Sequence, residues 1–154
     1  MNKKIRFIIE ILIIGIIVFF INTFLFQLCF VRGESMVPTL KNGQVLIAKK
    51  FDLQIKRNDI VVVKKDGKVI IKRAVGIPND RINILDGYLY VNGEKFDDRY
   101  IQDSGNIKDE ITLKSNEYFI LGDNRNASID SRFDEIGIIT KKNIIGKIIF
   151  KEGE

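Results

Sequence analysis

From Phe7 to Val31 the chain reads FIIEILIIGIIVFFINTFLFQLCFV, and Glu10 is the only charge in that run. A helix needs roughly 20 mainly apolar residues to cross the hydrocarbon core of a bilayer, and this stretch is long enough. Glu10 lies near its N-terminal end, where a carboxylate reaches the headgroup layer. A buried core helix is the alternative, but one so long and apolar is out of keeping with a chain of 154 residues. A cleavable leader also begins with a basic and then an apolar region, the latter of about 7–15 residues. Here the run is longer and leads into Phe30-Val31-Arg32-Gly33-Glu34, with no small residues at Ala-x-Ala spacing. The run therefore reads as a retained anchor helix over 7–31. Lys3, Lys4 and Arg6 stand beside its first residue. Positive-inside then leaves residues 1–6 in the cytoplasm as a basic tail and exports residues 32–154. Later apolar stretches are only strand-sized, so a single pass is expected.

Part of the basic balance belongs to this topology signal. The whole chain has 25 Lys and Arg against 20 Asp and Glu, a net of +5. From Arg32 onward 22 basic residues face 19 acidic ones, a net of only +3. A nucleic-acid partner weakens accordingly, and the bilayer is the expected surface. The chain has no His and one Cys, Cys29. That excludes a Ser-His-Asp triad, a Cys-His dyad, an intrachain disulfide and a His or Cys metal centre. A hydrolase of this composition must work with Ser, Lys, Asp, Glu or Tyr.

Beyond the anchor the pattern changes to short β-branched and aromatic runs. Val45–Ala48, Ile60–Val63, Val69–Val75, Arg81–Leu85, Tyr88–Val91, Tyr118–Leu121 and Ile144–Phe150 read as strands. Asp66-Gly67 and Asp86-Gly87 close hairpins between them, and Asn92-Gly93 ends the second unit. The polar stretch from Asp97 to Asp109 reads as a loop or disordered insert. Helix-period segments are scarce, and a mainly β barrel or sandwich-like domain follows.

Three islands break the strand pattern. Gly33-Glu34-Ser35-Met36-Val37-Pro38-Thr39-Leu40 follows the anchor directly. It is either a linker turn punctuated by Gly33 and Pro38 or a serine held on a rigid turn at the membrane surface. Lys72, after Val69-Ile70-Ile71, is either one solvent-facing residue of an alternating strand or a desolvated amine. Burial lowers a lysine pKa, and the neutral amine can act as a base. Gly122-Asp123-Asn124-Arg125-Asn126-Ala127-Ser128-Ile129-Asp130-Ser131-Arg132 is either a solvated polar loop or a site assembled from Asp, Asn, Arg and Ser.

Together the islands resemble the bacterial type I signal peptidases. Ser35-Met36-Val37-Pro38-Thr39-Leu40 looks like their nucleophile box. Lys72-Arg73-Ala74-Val75-Gly76-Ile77-Pro78-Asn79-Asp80 is similar to Lys-Arg-x-x-Gly-x-Pro-Gly-Asp, and residues 122–132 are similar to Gly-Asp-Asn-Arg-x-x-Ser-x-Asp-Ser-Arg. The resemblance implies a membrane-bound Ser-Lys protease that removes signal peptides from exported preproteins at the export machinery, cutting after small residues at −1 and −3. In it Ser35 is the nucleophile and Lys72 the general base. Ser128 orients the Lys72 amine by a hydrogen bond, Asp130 and Arg132 support that loop, and Arg73 with Asp123 ties the second box to the third. The Ser35 N–H belongs to the oxyanion hole. Where some members place a second hole serine this chain has Gly33, as compact Gram-positive-like members do. Val31, Met36, Leu40 and Ile71 form the small apolar substrate pockets. A bacterial cell membrane, no metal, no cofactor and a small accessory β subdomain over about 77–117 are also implied. Asn79 departs from the usual Gly.

Two other readings compete. Self-cleaving Ser-Lys repressor-type proteases share the dyad but carry a DNA-binding region or cleavable arm where this chain has its anchor. A membrane-anchored β binding module has no need of Ser35, Lys72 and Ser128 together.

Overall fold

In the computed structural model, residues 3–105 and 107–151 are described. Helix α1 spans Lys3–Phe20 and buries no residue against the rest of the protein. Its apolar face has no protein partner, and the stretch Lys3–Leu25 is long and apolar enough to cross a membrane. The run expected as one helix over 7–31 is divided. Ile21–Leu25 widens into a π turn, and Phe26–Phe30 leaves it as strand β1.

The reason is pairing. β1 runs antiparallel to β2 (Val45–Lys49), from Phe26 opposite Lys49 to Phe30 opposite Val45. That ladder satisfies backbone groups a helix would otherwise satisfy internally. Alternation then sends Leu28 and Phe30 outward, while Cys29 and Val31 pack on the core beneath the site. Lys50 fixes the junction: its N–H donates to the Leu25 carbonyl at 2.9 Å and its ammonium to the Thr23 carbonyl at 2.6 Å.

The remaining strands are β3 (Ile60–Lys65), β4 (Lys68–Gly76), β5 (Arg81–Leu85), β6 (Tyr88–Val91), β7 (Glu94–Lys95), β8 (Ile111–Thr112), β9 (Glu117–Leu121), β10 (Ile139–Thr140) and β11 (Ile144–Lys151). Seven strands form one antiparallel sheet in the order β1-β2-β11-β3-β4-β9-β10, and four form a second in the order β7-β6-β5-β8. Each expected strand is present within two residues of its expected ends, whereas β1, β7, β8 and β10 were not expected. Asp66-Gly67 and Asp86-Gly87 have positive φ at both residues, the turn whose twist matches that of flanking strands.

The second sheet packs on the first through Val75, Ile82, Leu89, Leu113 and Phe119. Gly76 lies in that seam: a Cβ there would stand 2.9 Å from both Leu113 Cδ1 and Phe119 Cβ. A second core, with Val61, Val63, Ala74 and Ile120, fills the main sheet. A third, with Val31, Met36, Leu40 and Leu46, lies under the turn that follows β1.

Candidate active site

Ser35 is half-buried in that turn. Gly33 opens it with φ +86°, a conformation natural to glycine. The Gly33 N–H donates to Asn42 Oδ1 at 2.9 Å. It is therefore committed inside the turn, and Gly33 does not supply a second oxyanion donor by that group. Asn124 grips the turn from across the chain. Its N–H donates to the Ser35 carbonyl at 3.0 Å and its side-chain amide to the Glu34 carbonyl at 3.3 Å. In a planar trans peptide the N–H opposes the C=O, so this grip turns the Ser35 N–H away from Asn124. Among the described residues nothing accepts a hydrogen bond from it.

Lys72 lies on β4 opposite Val61, only 4% exposed. Its Nζ and Ser35 Oγ are hydrogen-bonded at 2.7 Å. Burial pushes the amine below its ordinary 10.5; Asp130 opposes that, Arg132 adds to it, and Asp123 opposes it more weakly. Desolvation wins because no carboxylate touches the amine. A neutral amine here can take a proton from the hydroxyl beside it.

The loop over 122–132 surrounds this pair. Asp130 is fully buried, and Arg132, buried beside it, donates from Nε to Oδ1 at 2.8 Å and from Nη2 to Oδ2 at 3.0 Å. Asp130 Oδ2 also accepts the Gly122 N–H at 3.0 Å and the Ser128 hydroxyl at 2.7 Å. The Ser128 hydroxyl thus donates to Asp130 and keeps its lone pairs as acceptors, while the hydrogen bond made by Lys72 Nζ goes to Ser35 Oγ. Gly122 leaves room for this arrangement: a Cβ there would stand 2.6 Å from the Ser35 carbonyl and collide with Ser128 Oγ.

Arg73 meets Asp123 in the expected pair, bidentate, with Nε–Oδ1 2.7 Å and Nη2–Oδ2 2.6 Å. Burial of Asp123 favours its neutral form, but the Arg73 hydrogen bonds and the charges of Arg73 and Arg99 outweigh it and hold the carboxyl low. The Asn79 departure is conformationally neutral. Its φ is +71°, a region asparagine tolerates and glycine enters freely.

A cleft of about 340 Å³ opens beside Ser35 and Lys72, walled by β1 and the first half of β4. Val31, Met36 and Ile71 line it, while Leu40 does not. Leu40 is fully buried with Leu46 in the core below, because the turn bond from its N–H to the Met36 carbonyl folds it inward. Gln27 and Cys29 also line the cleft. Reading residues 7–31 as one helix hid them, though their alternation with Leu28 and Phe30 is a strand signal. β9 pairs with β4 only from Arg73 to Gly76, so the other edge of β4 over Lys68–Lys72 is open towards the cleft. Among the described residues no group of three His, Cys, Asp or Glu side chains is placed to hold a metal.

A buried lysine against a serine hydroxyl at the mouth of a cleft has the geometry of a serine hydrolase. The family model described as signal peptidase, peptidase S26, matches residues 4–151. Signal peptidase I P of Bacillus subtilis subsp. natto is 39% identical over 88% of this chain and 82% of its own. Signal peptidase I S of Bacillus subtilis strain 168 is 35% identical over 91% and 85%. A crystal structure of a signal peptidase I from Enterococcus faecalis V583 is 25% identical, covers 63% of this chain and 98% of its own, and superposes with a TM-score of 0.49. The chain belongs to the signal peptidase family, peptidase S26, and is a serine protease. Its apolar N-terminal helix fits a membrane-anchored member of that family.

Proposed function

We propose that the protein removes signal peptides from exported preproteins with Ser35 as nucleophile and Lys72 as general base. The observation that carries this reading is the 2.7 Å contact between Lys72 Nζ and Ser35 Oγ, with Lys72 desolvated by burial. The neutral amine takes the Ser35 proton as Oγ attacks the scissile carbonyl, and the Ser35 N–H stabilises the resulting oxyanion. Lys72 then returns the proton to the leaving amine as the C–N bond breaks, leaving an acyl-enzyme. Water, deprotonated by the same amine, hydrolyses the ester and frees Ser35. Asp130, Arg132 and Ser128 support the loop behind the pair, and Arg73 with Asp123 fixes it to β4.

The substrate adds as an extended strand between the open edges of β1 and β4, through main-chain hydrogen bonds. Val31, Met36 and Ile71, at 5%, 2% and partial exposure, leave little depth beside Ser35, which favours small side chains at −1 and −3. Residues 1–6 lie in the cytoplasm, one helix crosses the bilayer, and the catalytic domain with its accessory sheet over about 77–117 acts on the far side. Preproteins arriving from the export machinery meet it there.

The test is to incubate the full-length chain, in detergent or lipid, with a secretory precursor carrying an Ala-x-Ala site. Wild type, Ser35→Ala and Lys72→Ala are compared, and product N-termini are read by mass spectrometry. Cleavage after the final Ala by wild type alone is expected. Cleavage surviving Ser35→Ala overturns the assignment of the nucleophile.

A further inference from the structure

Among the described residues between 96 and 110, the polar segment after β7 carries no regular strand, yet its first half is bound along the loop that supports Ser35 and Lys72. Arg99 donates from Nη1 to Asp123 Oδ1 at 2.8 Å, beside the Arg73 pair. Arg99 also holds Asp97, with Nη2–Oδ2 at 2.7 Å, and Asp97 in turn meets the Arg125 Nη2 at 2.8 Å. Charges therefore alternate along Arg73, Asp123, Arg99, Asp97 and Arg125, each carboxylate lying between two guanidinium groups. Further along, the Gln102 N–H donates to Asn126 Oδ1 at 2.9 Å, and Arg132 Nη1 to the Asp103 carbonyl at 2.9 Å. Gly105 completes the seam, since a Cβ there would collide with the Arg132 carbonyl.

We propose that residues 97–105 form a strap from the accessory sheet onto the catalytic loop, and that Arg99 is a positioning residue acting through Asp123. The inference rests on the Ser35–Lys72 reading of the site. Arg99 is the one link of the charge chain that touches both carboxylates. Asp123 also bonds Arg73, the residue after Lys72 on β4. Arg99 thus joins the strap, the catalytic loop and the strand bearing the base at one carboxylate. Its side chain is 38% exposed, so truncation leaves no large cavity.

Arg99 has an electrostatic task as well. The charged groups that act on Lys72 are Asp130 and Arg132 on the catalytic loop and Asp123 at its start, with Arg73 adjacent on β4. The Asp123 carboxylate favours the ammonium form of Lys72, and Arg99 offsets part of that field. Removing Arg99 leaves Asp123 less compensated and Lys72 easier to protonate.

The test compares precursor cleavage by wild type, Arg99→Met, Arg99→Lys and Lys95→Met, each as the full chain in detergent, with Lys72→Ala as reference. Lys95, the last residue of β7, pairs with Asp98 of the segment at the surface and controls for general loss of charge. Arg99→Met should lower kcat roughly tenfold to a hundredfold with KM nearly unchanged, and move the acid limb of the kcat profile to higher pH. Arg99→Lys should recover part of both, and Lys95→Met should match wild type. Wild-type kcat and an unmoved acid limb in Arg99→Met overturn the strap while Lys72→Ala remains inactive. A fall in kcat with an unmoved limb, proportional to lost thermal stability, also overturns it. Activity in Lys72→Ala would instead remove the dyad on which the inference rests.

Discussion

Arg73 and Asp123 face each other through two parallel hydrogen bonds of 2.7 and 2.6 Å, the strand that bears Lys72 on one side and the loop that grips Ser35 on the other. Asp123 is 3% exposed and carries a second guanidinium, that of Arg99. Removing one partner of a buried pair leaves the other charge uncompensated and costs about 3–5 kcal/mol. Asp123→Ala should lose stability on that order by denaturant unfolding in detergent. The Asp123 pKa is lowered on folding, so its contribution is present above the unfolded carboxylate pKa and is lost as pH falls through the folded one. The gap between wild type and Asp123→Ala should accordingly narrow in acid.

Catalysis should follow the protonation of Lys72. Its pKa is lowered by burial, so kcat should rise with pH through the folded value and fall away in acid, where the ammonium cannot accept a proton. Lys72→Arg should be as inactive as Lys72→Ala, since guanidinium stays protonated. A profile flat down to pH 5 would exclude this base.

The same burial has a thermodynamic signature. A lysine with a lowered folded pKa binds fewer protons folded than unfolded between the two values, so stability rises with pH across that window. Below it the full penalty of burying the ammonium is felt. Lys72→Met should therefore melt above wild type at neutral pH, and the difference should shrink as pH approaches 10.5. Equal melting at all pH would mean the amine carries no desolvation cost.

Gly122 borders both Ser35 and Ser128 without room for a Cβ. Gly122→Ala should displace the loop that fixes the Ser35 carbonyl and reduce kcat by about 10², with far-UV circular dichroism unchanged. Near-normal turnover would show that the loop can shift without disturbing the pair.

Asn79 sits at φ +71°. Asn79→Gly should change stability by less than about 1 kcal/mol, while Asn79→Val should cost about 1–2 kcal/mol, because a β-branched side chain resists that conformation. Thermal melts of the two variants separate these outcomes.

The hairpin of β3 and β4 was legible because its signals are local, β-branched runs meeting at Asp66-Gly67. Ser35 and Lys72 stood out through the motifs around them. β1 did not, because hydropathy alone cannot distinguish Phe26–Phe30 in a strand from the end of a long apolar helix, and its partner β2 begins fifteen positions later at Val45. The motif places Ser128 beside the pair, but the bond from its hydroxyl to Asp130 depends on tertiary distances that no motif spells out. Asp97 and Arg99 fall in a polar stretch that reads from sequence only as a loop or disordered insert. Their meaning comes from Asp123 and Arg125, which only the folded chain brings to them.

β1 follows the membrane-sized helix after a single π turn and is itself a wall of the cleft. No flexible stalk separates anchor from cleft, so with the helix in a bilayer the distance from headgroups to Ser35 is fixed by the length of one strand. On the proposed function, that fixed height makes the enzyme a ruler: a precursor held by its own apolar helix would present only those bonds that rise to it, so the position of cleavage would be measured from the membrane.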